Sequence, residues 1–130
     1  MIDDVQKYLA EMTVKLIGDR WKMQIIQSLM EGTKRFGELK KSLGDITQKV
    51  LTSNLRVLEE KGLVIRKVYA QIPPKVEYTL TTIGFALTPV IESMVAWGAE
   101  YRENMMLGIE TLSQLQLSNK KSPFDAGFFL

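Results

Sequence analysis

Five polar side chains, spaced so that they share one face of a helix, have the chemistry to contact DNA. They are Gln48, Lys49, Thr52, Ser53 and Arg56. Gln matches the edge of adenine, Arg matches guanine or a phosphate, and small hydroxyl residues allow close approach. No carboxylate follows Gln48 until Glu59, whereas a solvated helix usually alternates acidic and basic residues. The pattern therefore favours DNA contact, and an ordinary polar face on a core helix is the alternative.

Two short helices joined by a tight turn would position this face. Gly44-Asp45-Ile46 has the composition of a turn, and Thr47 is a good N-cap because its hydroxyl can accept a bond from an unpaired backbone N–H. We expect the second helix over 47–61, because Gly62 can adopt the left-handed conformation that ends a helix. Apolar residues at helical spacing would face one core, namely Phe36, Leu39 and Leu43 in the first helix and Leu51, Leu55 and Leu58 in the second.

Positive charge is concentrated in the same region. Residues 34–75 contain ten Lys and Arg against four Asp and Glu, a net charge of +6, whereas the whole chain carries +2. Neutralising phosphates is the largest sequence-independent source of DNA affinity, and it requires a local basic patch of this kind.

A β-hairpin is predicted immediately after the second helix. Residues 63–69 are rich in β-branched and aromatic residues, and 76–80 alternate with period two. Pro73 and Pro74 lie between them and suit a hairpin tip, because proline cannot donate to a ladder. A helix-turn-helix followed by a basic hairpin is a winged helix, which is mainly α with a small β-hairpin wing (α+β). The wing is expected over 64–80, and the predicted DNA-binding residues are Arg35, Thr47, Gln48, Lys49, Thr52, Ser53, Arg56, Lys67 and Lys75.

We assign different roles to these polar residues. Gln48, Lys49, Thr52 and Ser53 are expected to face base edges. Arg56 and the wing residues Lys67 and Lys75 lie further from the tip that enters the groove, so they are expected to hold phosphates.

Several classes of function are excluded or disfavoured by residue types that the chain lacks. It contains no cysteine and no histidine, which excludes a thiol switch, a zinc site of Cys and His type, and Cys or His catalysis. No phosphate loop, G-x-G-x-x-G or G-x-S-x-G string is present. We therefore predict no enzyme, no cofactor and no metal.

Two further helical regions flank the predicted winged helix. Val5, Leu9, Met12 and Leu16 have helical spacing, and after Gly18-Asp19 a second helix bears Trp21, Ile25, Ile26 and Leu29 and is closed by Gly32. Beyond the wing an apolar stripe runs for about six turns from Ile83 to Met105, with a kink expected at Pro89. Neither a signal peptide nor a window of about 18 uncharged apolar residues is found, so no membrane segment is predicted.

Several motifs in a fixed order resemble those of the HxlR-type winged-helix transcriptional regulators, which are close to the MarR family. The resemblance covers roughly residues 8–101 and is carried by Ile17–Lys22, Arg35–Leu39, Ile46–Thr52, Leu58–Val64, Pro73–Tyr78 and Leu80-Thr81. It implies a cytoplasmic, homodimeric regulator of repressor type that binds double-stranded DNA at a near-palindromic operator. The N-terminal helix and the long C-terminal helix would then be dimerisation helices.

The resemblance also implies a site for a small aromatic effector between the dimer helices and the reading head. The side chains expected there are Tyr8, Met12, Trp21, Trp97 and Tyr101. Plain core packing is the alternative for Met and aromatic residues at helical spacing. The chain departs from thiol-sensing relatives at Tyr8, which stands where many of them carry a cysteine.

The predicted organisation is one winged-helix and dimerisation domain over 1–107, followed by a C-terminal tail over 108–130. Ile109, Leu112 and Leu115 indicate one short helix in that tail, and its apolar end, Phe124 to Leu130, is expected to pack on the dimer. The alternative function is a winged-helix protein interaction module without base readout, which would carry an apolar or acidic patch where the basic one lies.

Overall fold

A computed structural model describes residues 1–116 of the chain, with side chains described for residues 1–110. The chain divides into two units, the first Met1–Pro89 and the second starting at Val90. Six helices and three strands follow in the order α1 (Asp4–Ile17), α2 (Arg20–Met30), β1 (Lys34–Arg35), α3 (Phe36–Ser42), α4 (Gln48–Glu60), β2 (Val64–Tyr69), β3 (Lys75–Leu80), α5 (Thr82–Phe85) and α6 (Thr88–Gln116). The predicted winged helix-turn-helix of the α+β class is confirmed.

Side-chain caps fix where the helices of the first unit begin. The Asp3 carboxylate accepts a bond from the Gln6 backbone N–H at 2.7 Å, and the Gln6 side chain accepts one from the Asp3 N–H at 3.1 Å. Asp19 caps α2 in the same way by accepting from the Lys22 N–H at 2.8 Å. Such a cap satisfies one of the four N–H groups that a helix start leaves unpaired, so the predicted break at Gly18-Asp19 is confirmed.

The core of the first unit is built from leucine and isoleucine at the predicted helical spacings. Fully burying one such side chain contributes roughly 1.5–3 kcal/mol, so these residues largely determine how α2, α3 and α4 pack. The predicted core positions of α3 and α4 are confirmed, except that Phe36 is only partly buried. The buried apolar residues of this unit are Ile17, Ile25, Ile26, Leu29, Leu39, Leu43, Ile46, Leu51, Leu55, Leu58, Leu63, Val64, Tyr78 and Leu80.

A small antiparallel sheet completes the first unit. Its strand order is β1-β3-β2, so β3 is central and pairs with both neighbours. The predicted hairpin is confirmed as β2 and β3, with Val64 opposite Leu80 and Tyr69 opposite Lys75. The short strand β1 was not predicted, because two residues are too few to show a period-two pattern. It pairs with β3 through Lys34 opposite Tyr78 and Arg35 opposite Glu77.

The prediction of one kinked helix after the wing is wrong. The chain forms a short helix, α5, and then a separate helix, α6, that begins at Thr88. Pro89 therefore lies in the first turn of α6, where a backbone N–H would have no intrahelical partner and proline is well tolerated. Helix α6 continues across Gly108 to Gln116, so the predicted boundary between 107 and 108 lies within a helix. The apolar end of the predicted tail, from Phe124 on, lies outside the described residues.

The segment Thr82–Glu110 contains a window with a mean hydropathy of 1.2, so by length and composition alone it could cross a membrane. The sequence prediction had excluded such a segment. Two features argue against a span. The helix is interrupted between α5 and α6, and a bilayer cannot satisfy the freed backbone groups. The continuous part beyond Thr88 carries Glu92, Glu100, Arg102 and Glu103, and charges are costly inside lipid.

Candidate nucleic-acid interface

Helix α4 starts at a side-chain cap and leaves its first turn free of acidic residues. The Thr47 hydroxyl accepts a bond from the Val50 backbone N–H at 3.2 Å. Gly44, in the turn before it, has φ +74°, a conformation that glycine adopts at no steric cost. The start of a helix carries partial positive charge from its unpaired N–H groups. With no carboxylate in that turn, this end of α4 can approach the negatively charged surface of DNA without repulsion.

The polar residues predicted on α4 do share one surface. Leu51, Leu55 and Leu58 are buried on the opposite side of the helix. Asn54 uses its side-chain N–H to bond the Val50 carbonyl at 2.9 Å, so it is occupied within the helix. The outward side forms a shallow depression of about 700 Å³, lined by Gln48, Lys49, Thr52, Ser53, Arg56 and Val57. All five side chains with which the prediction began are thus brought together.

A network of polar side chains joins α2, α3 and β1. The Ser28 hydroxyl on α2 lies 3.1 Å from the Ser42 hydroxyl on α3. The Lys34 ammonium on β1 donates to Ser28 at 2.9 Å and also pairs with Glu31 at 2.5 Å. Because Ser28 is buried, these bonds satisfy a polar group that would otherwise be costly. The network therefore holds the first helix of the motif, α3, in a defined place.

Strand alternation and register divide the hairpin into two faces. Residues directly opposite each other across a ladder share a face, and neighbours along a strand alternate. The inner face contains Val64 opposite Leu80 and Arg66 opposite Tyr78, and three of these four are buried. The outer face contains Lys67 opposite Glu77 and Tyr69 opposite Lys75, with Arg35 of β1 on the other side of Glu77. Three predicted DNA-binding residues, Arg35, Lys67 and Lys75, are therefore on the outer face.

The outer face holds its lysines in local contacts. The Lys67 and Lys75 ammonium groups lie 4.9 Å and 4.7 Å from the centre of the Tyr69 ring. Lys75 also pairs with Glu77 at 3.6 Å. A hydrogen bond from Tyr69, together with the charges of Lys75 and Arg35, lowers the pKa of Glu77, so that carboxylate is ionised at neutral pH. Glu77 therefore offsets part of the positive charge that the sequence placed on the wing.

The remaining predicted residue, Arg35, is the last residue of β1 and the N-cap of α3. Its backbone N–H donates to the Glu38 carboxylate at 2.8 Å, which anchors the start of α3 as an N-terminal carboxylate commonly does. The Arg35 side chain is exposed. Arg35 lies opposite Glu77 in the sheet, and the negative charge of Glu77 weakens the attraction of Arg35 for DNA, as it does for Lys75.

Sequence reasoning missed Arg66. A cleft of about 240 Å³ runs between α4 and the hairpin, and it is lined by Thr52, Leu55, Arg56, Glu59, Arg66 and Tyr78. Arg66 thus faces α4, whereas its predicted neighbour Lys67 is on the other face. Alternation alone could not have shown this, because both β2 sets contain one basic residue and two apolar or aromatic ones: Val64, Arg66 and Val68, or Ile65, Lys67 and Tyr69.

The side chains predicted for an effector pocket fall into three places. A cavity of about 240 Å³ in the first unit is lined by Tyr8, Glu11, Met12, Lys15, Leu16 and Lys61. Trp21, which is not one of these lining residues, has the Arg20 guanidinium 4.4 Å from its ring centre. In α6, Trp97 and Tyr101 stack on each other with ring centres 5.1 Å apart. Only Tyr8 and Met12 of the predicted set line the cavity.

Among the described residues, no group of three or more Asp and Glu side chains is arranged to hold a metal ion. The exposed surface of α4 carries hydrogen-bonding and basic groups with one aliphatic residue, Val57. A protein-docking surface was expected to be apolar or acidic instead. The arrangement therefore fits contact with a polyanion.

Comparison with known proteins agrees with this geometry. The profile of the HxlR-like helix-turn-helix family matches residues 16–106. The uncharacterised HTH-type transcriptional regulator YdeP of Bacillus subtilis (strain 168) is 45% identical over 103 residues, which cover 79% of this chain and 80% of YdeP.

Two solved structures of regulator proteins are also similar to this chain. The HTH-type transcriptional regulator ytcD superposes with a TM-score of 0.70 at 45% identity, over 73% of this chain and 97% of that one. The redox regulator HypR in its oxidised form superposes with a TM-score of 0.66 at 44% identity, over 70% of this chain and 94% of that one.

Proposed function

Because the chain belongs to the HxlR-like helix-turn-helix family and is a DNA-binding transcriptional regulator rather than an enzyme, we propose that it binds a near-palindromic operator as a homodimer of repressor type. In each subunit α4 enters the major groove and the hairpin flanks it. The observation that carries this proposal is the α4 surface, where Gln48, Lys49, Thr52, Ser53 and Arg56 line one depression with no carboxylate among them.

We assign base contacts to the first turns of α4 and phosphate contacts to its later part and the wing. Gln48, Lys49, Thr52 and Ser53 lie at the end of α4 that is free of acidic residues, so they can approach base edges. Arg56 lies further along the helix, next to the hairpin. The exposed side chains of Arg35 and Lys67 and the paired Lys75 would add to phosphate attraction.

A second copy of the chain is the proposed cover for the apolar surface of α1. Val5, Tyr8, Leu9 and Met12 recur at i, i+3, i+4 and i+7 of α1, and each is at least 40% exposed. An apolar stripe of this width usually packs against another element. Helix α6 likewise exposes Met94 and Trp97. A two-fold dimer would bury each stripe against its copy, and the charged α6 positions would stay in the aqueous cytoplasm.

The cavity beside Tyr8 is the proposed place for a small aromatic effector. Tyr8, Met12 and Leu16 would contact an aromatic ring, and Lys15 and Lys61 supply positive charge at the rim. Lys61 is the C-cap of α4, so a bound molecule would touch the end of the helix proposed to read DNA. Such a ligand releases DNA only if it binds the non-binding arrangement of the dimer more tightly.

Selection of bound fragments from the source genome, followed by footprinting, tests the central proposal. Two α4 helices of a two-fold dimer enter successive major grooves about 34 Å apart, so half-site centres should be about 10 base pairs apart or a small multiple. A footprint over a single half-site would contradict the proposal.

Oligomeric state is measured separately by sedimentation at micromolar concentration. Replacing Leu9 with Glu should give a monomer, whereas Lys7→Glu, two residues away on α1, should leave the dimer intact. A monomeric wild-type chain would overturn the dimer.

A further inference from the structure

The cleft between α4 and the hairpin adjoins the outward surface of α4, with which it shares Thr52 and Arg56. It is lined by Thr52, Leu55, Arg56, Glu59, Arg66 and Tyr78, and we name it the α4–β2 cleft. Leu55 and Tyr78 form buried walls, with exposed fractions of 1% and 7%. A charge held against such apolar walls is screened less by water than one on an open surface. Arg56, Glu59 and Arg66 are exposed to solvent, so this effect applies only where a ligand lies against Leu55 and Tyr78.

Two guanidinium groups reach this cleft from different elements. Arg56 comes from the third turn of α4, and Arg66 comes from the inner face of β2, where it stands opposite Tyr78. Strand alternation places the next residue, Lys67, on the other face of the sheet. Arg66 and Lys67 thus have the same charge and adjacent positions but face opposite sides of the hairpin.

Both guanidinium groups are available for a ligand. Across residues 1–110, neither the Arg56 nor the Arg66 guanidinium takes part in an ion pair, a hydrogen bond or an aromatic contact. The wing residue Lys75 is paired with Glu77 at 3.6 Å, and Lys67 lies over the Tyr69 ring. The two arginines of the α4–β2 cleft are thus free, whereas Lys67 and Lys75 on the outer face are partly engaged in contacts within the wing.

We infer that Arg56 and Arg66 hold one backbone phosphate of DNA between them in the α4–β2 cleft. A guanidinium matches a phosphate through two parallel N–H donors, which a lysine cannot provide. The inference rests on the proposal that α4 lies in the major groove, because the adjoining phosphates then pass the side of α4 that faces the wing. It assigns to Arg66 the role that the sequence had given to Lys67.

Glu59 lies in the same cleft and repels the phosphate. Its carboxylate limits the affinity of the cleft for anions in general. Replacing Glu59 with Gln should therefore tighten DNA binding, and the gain should require Arg66. An equal gain in the Arg66→Gln background would contradict the assigned position of the phosphate.

The first test compares Arg66→Gln with Lys67→Gln on a random-sequence duplex, with affinity measured by fluorescence anisotropy over a range of KCl concentrations. A phosphate contact needs no operator, so this test is independent of base reading. We expect Arg66→Gln to weaken binding roughly three- to tenfold and to reduce the salt slope by about 0.9 per subunit. Lys67→Gln should change the slope by clearly less. Equal changes in both variants would overturn the inference.

A second test asks whether the two arginines share one phosphate. If they do, the fold-losses of DNA affinity caused by Arg56→Gln and by Arg66→Gln should not multiply in the double variant, because the first substitution already disrupts the contact. Arg66→Lys should keep most of the salt slope while losing affinity, because it retains charge without the paired donors. Multiplicative losses would contradict a shared phosphate. Circular dichroism of each variant verifies that the fold is retained.

A DNA backbone and free phosphate present the same chemistry to this cleft. The control measures the Tm with inorganic phosphate, at constant ionic strength and without DNA. The DNA assignment would be overturned if phosphate raised the Tm of the wild type but not of Arg66→Gln, and if the substitution left duplex binding unaffected. The cleft would then be a site for a free anion. Failure of the operator proposal would appear instead as a wild type that binds all duplexes alike. The two failures are therefore distinguishable.

Discussion

The ammonium of Lys75 lies 3.6 Å from a carboxylate oxygen of Glu77, two residues further along β3. Both side chains are on the outer face of the hairpin, where Lys67 and Arg35 flank Glu77 on the neighbouring strands. A basic wing residue that the sequence offers to DNA is therefore already paired within the protein. DNA must compete with Glu77 for it.

The first prediction follows from that pair. Glu77→Gln should tighten DNA binding and steepen its salt dependence by up to about 0.9 per subunit, because Lys75 becomes free to neutralise a phosphate. Fluorescence anisotropy at several KCl concentrations measures both effects. In Glu77→Gln/Lys75→Gln the steepening should disappear, and a steepening that persisted there would show that Lys75 is not the residue released.

The second prediction concerns base reading by α4. Gln48→Ala should relax the preference for one defined base pair of the operator at a cost of about 1–3 kcal/mol. Competition among operator variants with single substitutions gives the preference. Gln27→Ala on α2 is the matched control and should leave all preferences unchanged. A uniform loss across operators with Gln48→Ala would mean that Gln48 contacts the backbone.

The third prediction concerns the cap of α4. Thr47→Ala should lower the free energy of unfolding by about 1 kcal/mol, because the Val50 N–H loses the hydroxyl that it bonds at 3.2 Å. Urea denaturation followed by circular dichroism measures the change. Thr47→Ser retains the hydroxyl and should stay close to the wild type; if serine were as damaging as alanine, lost methyl packing would be the cause.

The fourth prediction is a pH dependence at Asp19. Burial alone would raise the pKa of Asp19, but bonds from the Lys22 side chain and backbone outweigh it, so the folded pKa lies below 3.8. Asp19 therefore contributes stability above about pH 4, and this contribution is lost as pH falls through the folded pKa. Urea denaturation between pH 2.5 and 7 should show a shallower acid loss for Asp19→Asn than for the wild type. Identical pH profiles of stability for the variant and the wild type would contradict this prediction.

The size of that effect is limited by exposure. The Asp19 side chain is 48% exposed, so water screens its interaction with Lys22, and asparagine still caps a helix well. At pH 7 the Asp19→Asn variant should lose well under about 1 kcal/mol.

The fifth prediction concerns oxidants. The chain has no cysteine, so modest doses of diamide, hydrogen peroxide or a quinone should leave DNA affinity unchanged, although it resembles a redox regulator in structure. Gel-shift assays with and without oxidant, followed by dithiothreitol, measure this. Rapid release of DNA by an oxidant, reversed by dithiothreitol, would contradict this prediction.

The sequence by itself determined the features that depend on neighbours along the chain. Helix caps at Asp19 and Thr47 and the buried stripe of α4 are local, since they follow from spacings of three and four residues. The outward set from Gln48 to Arg56 followed directly from that stripe. Excluding a thiol switch required only the composition. Pro89 was misplaced because the same apolar period continues through α5 and α6, and period does not reveal where one helix stops.

Only the tertiary structure decided which side of the hairpin faces α4. Alternation divides β2 into two sets, each with one basic residue, and the sequence gives no reason to prefer either. The register of Val64 against the buried Leu80 makes the choice, and it places Arg66 rather than Lys67 beside Arg56. Pairing of β1 with β3, which sets Arg35 beside Glu77, likewise depends on strands meeting in space. Charge counted along a chain therefore overstates what a surface offers, because folding brings opposite charges together.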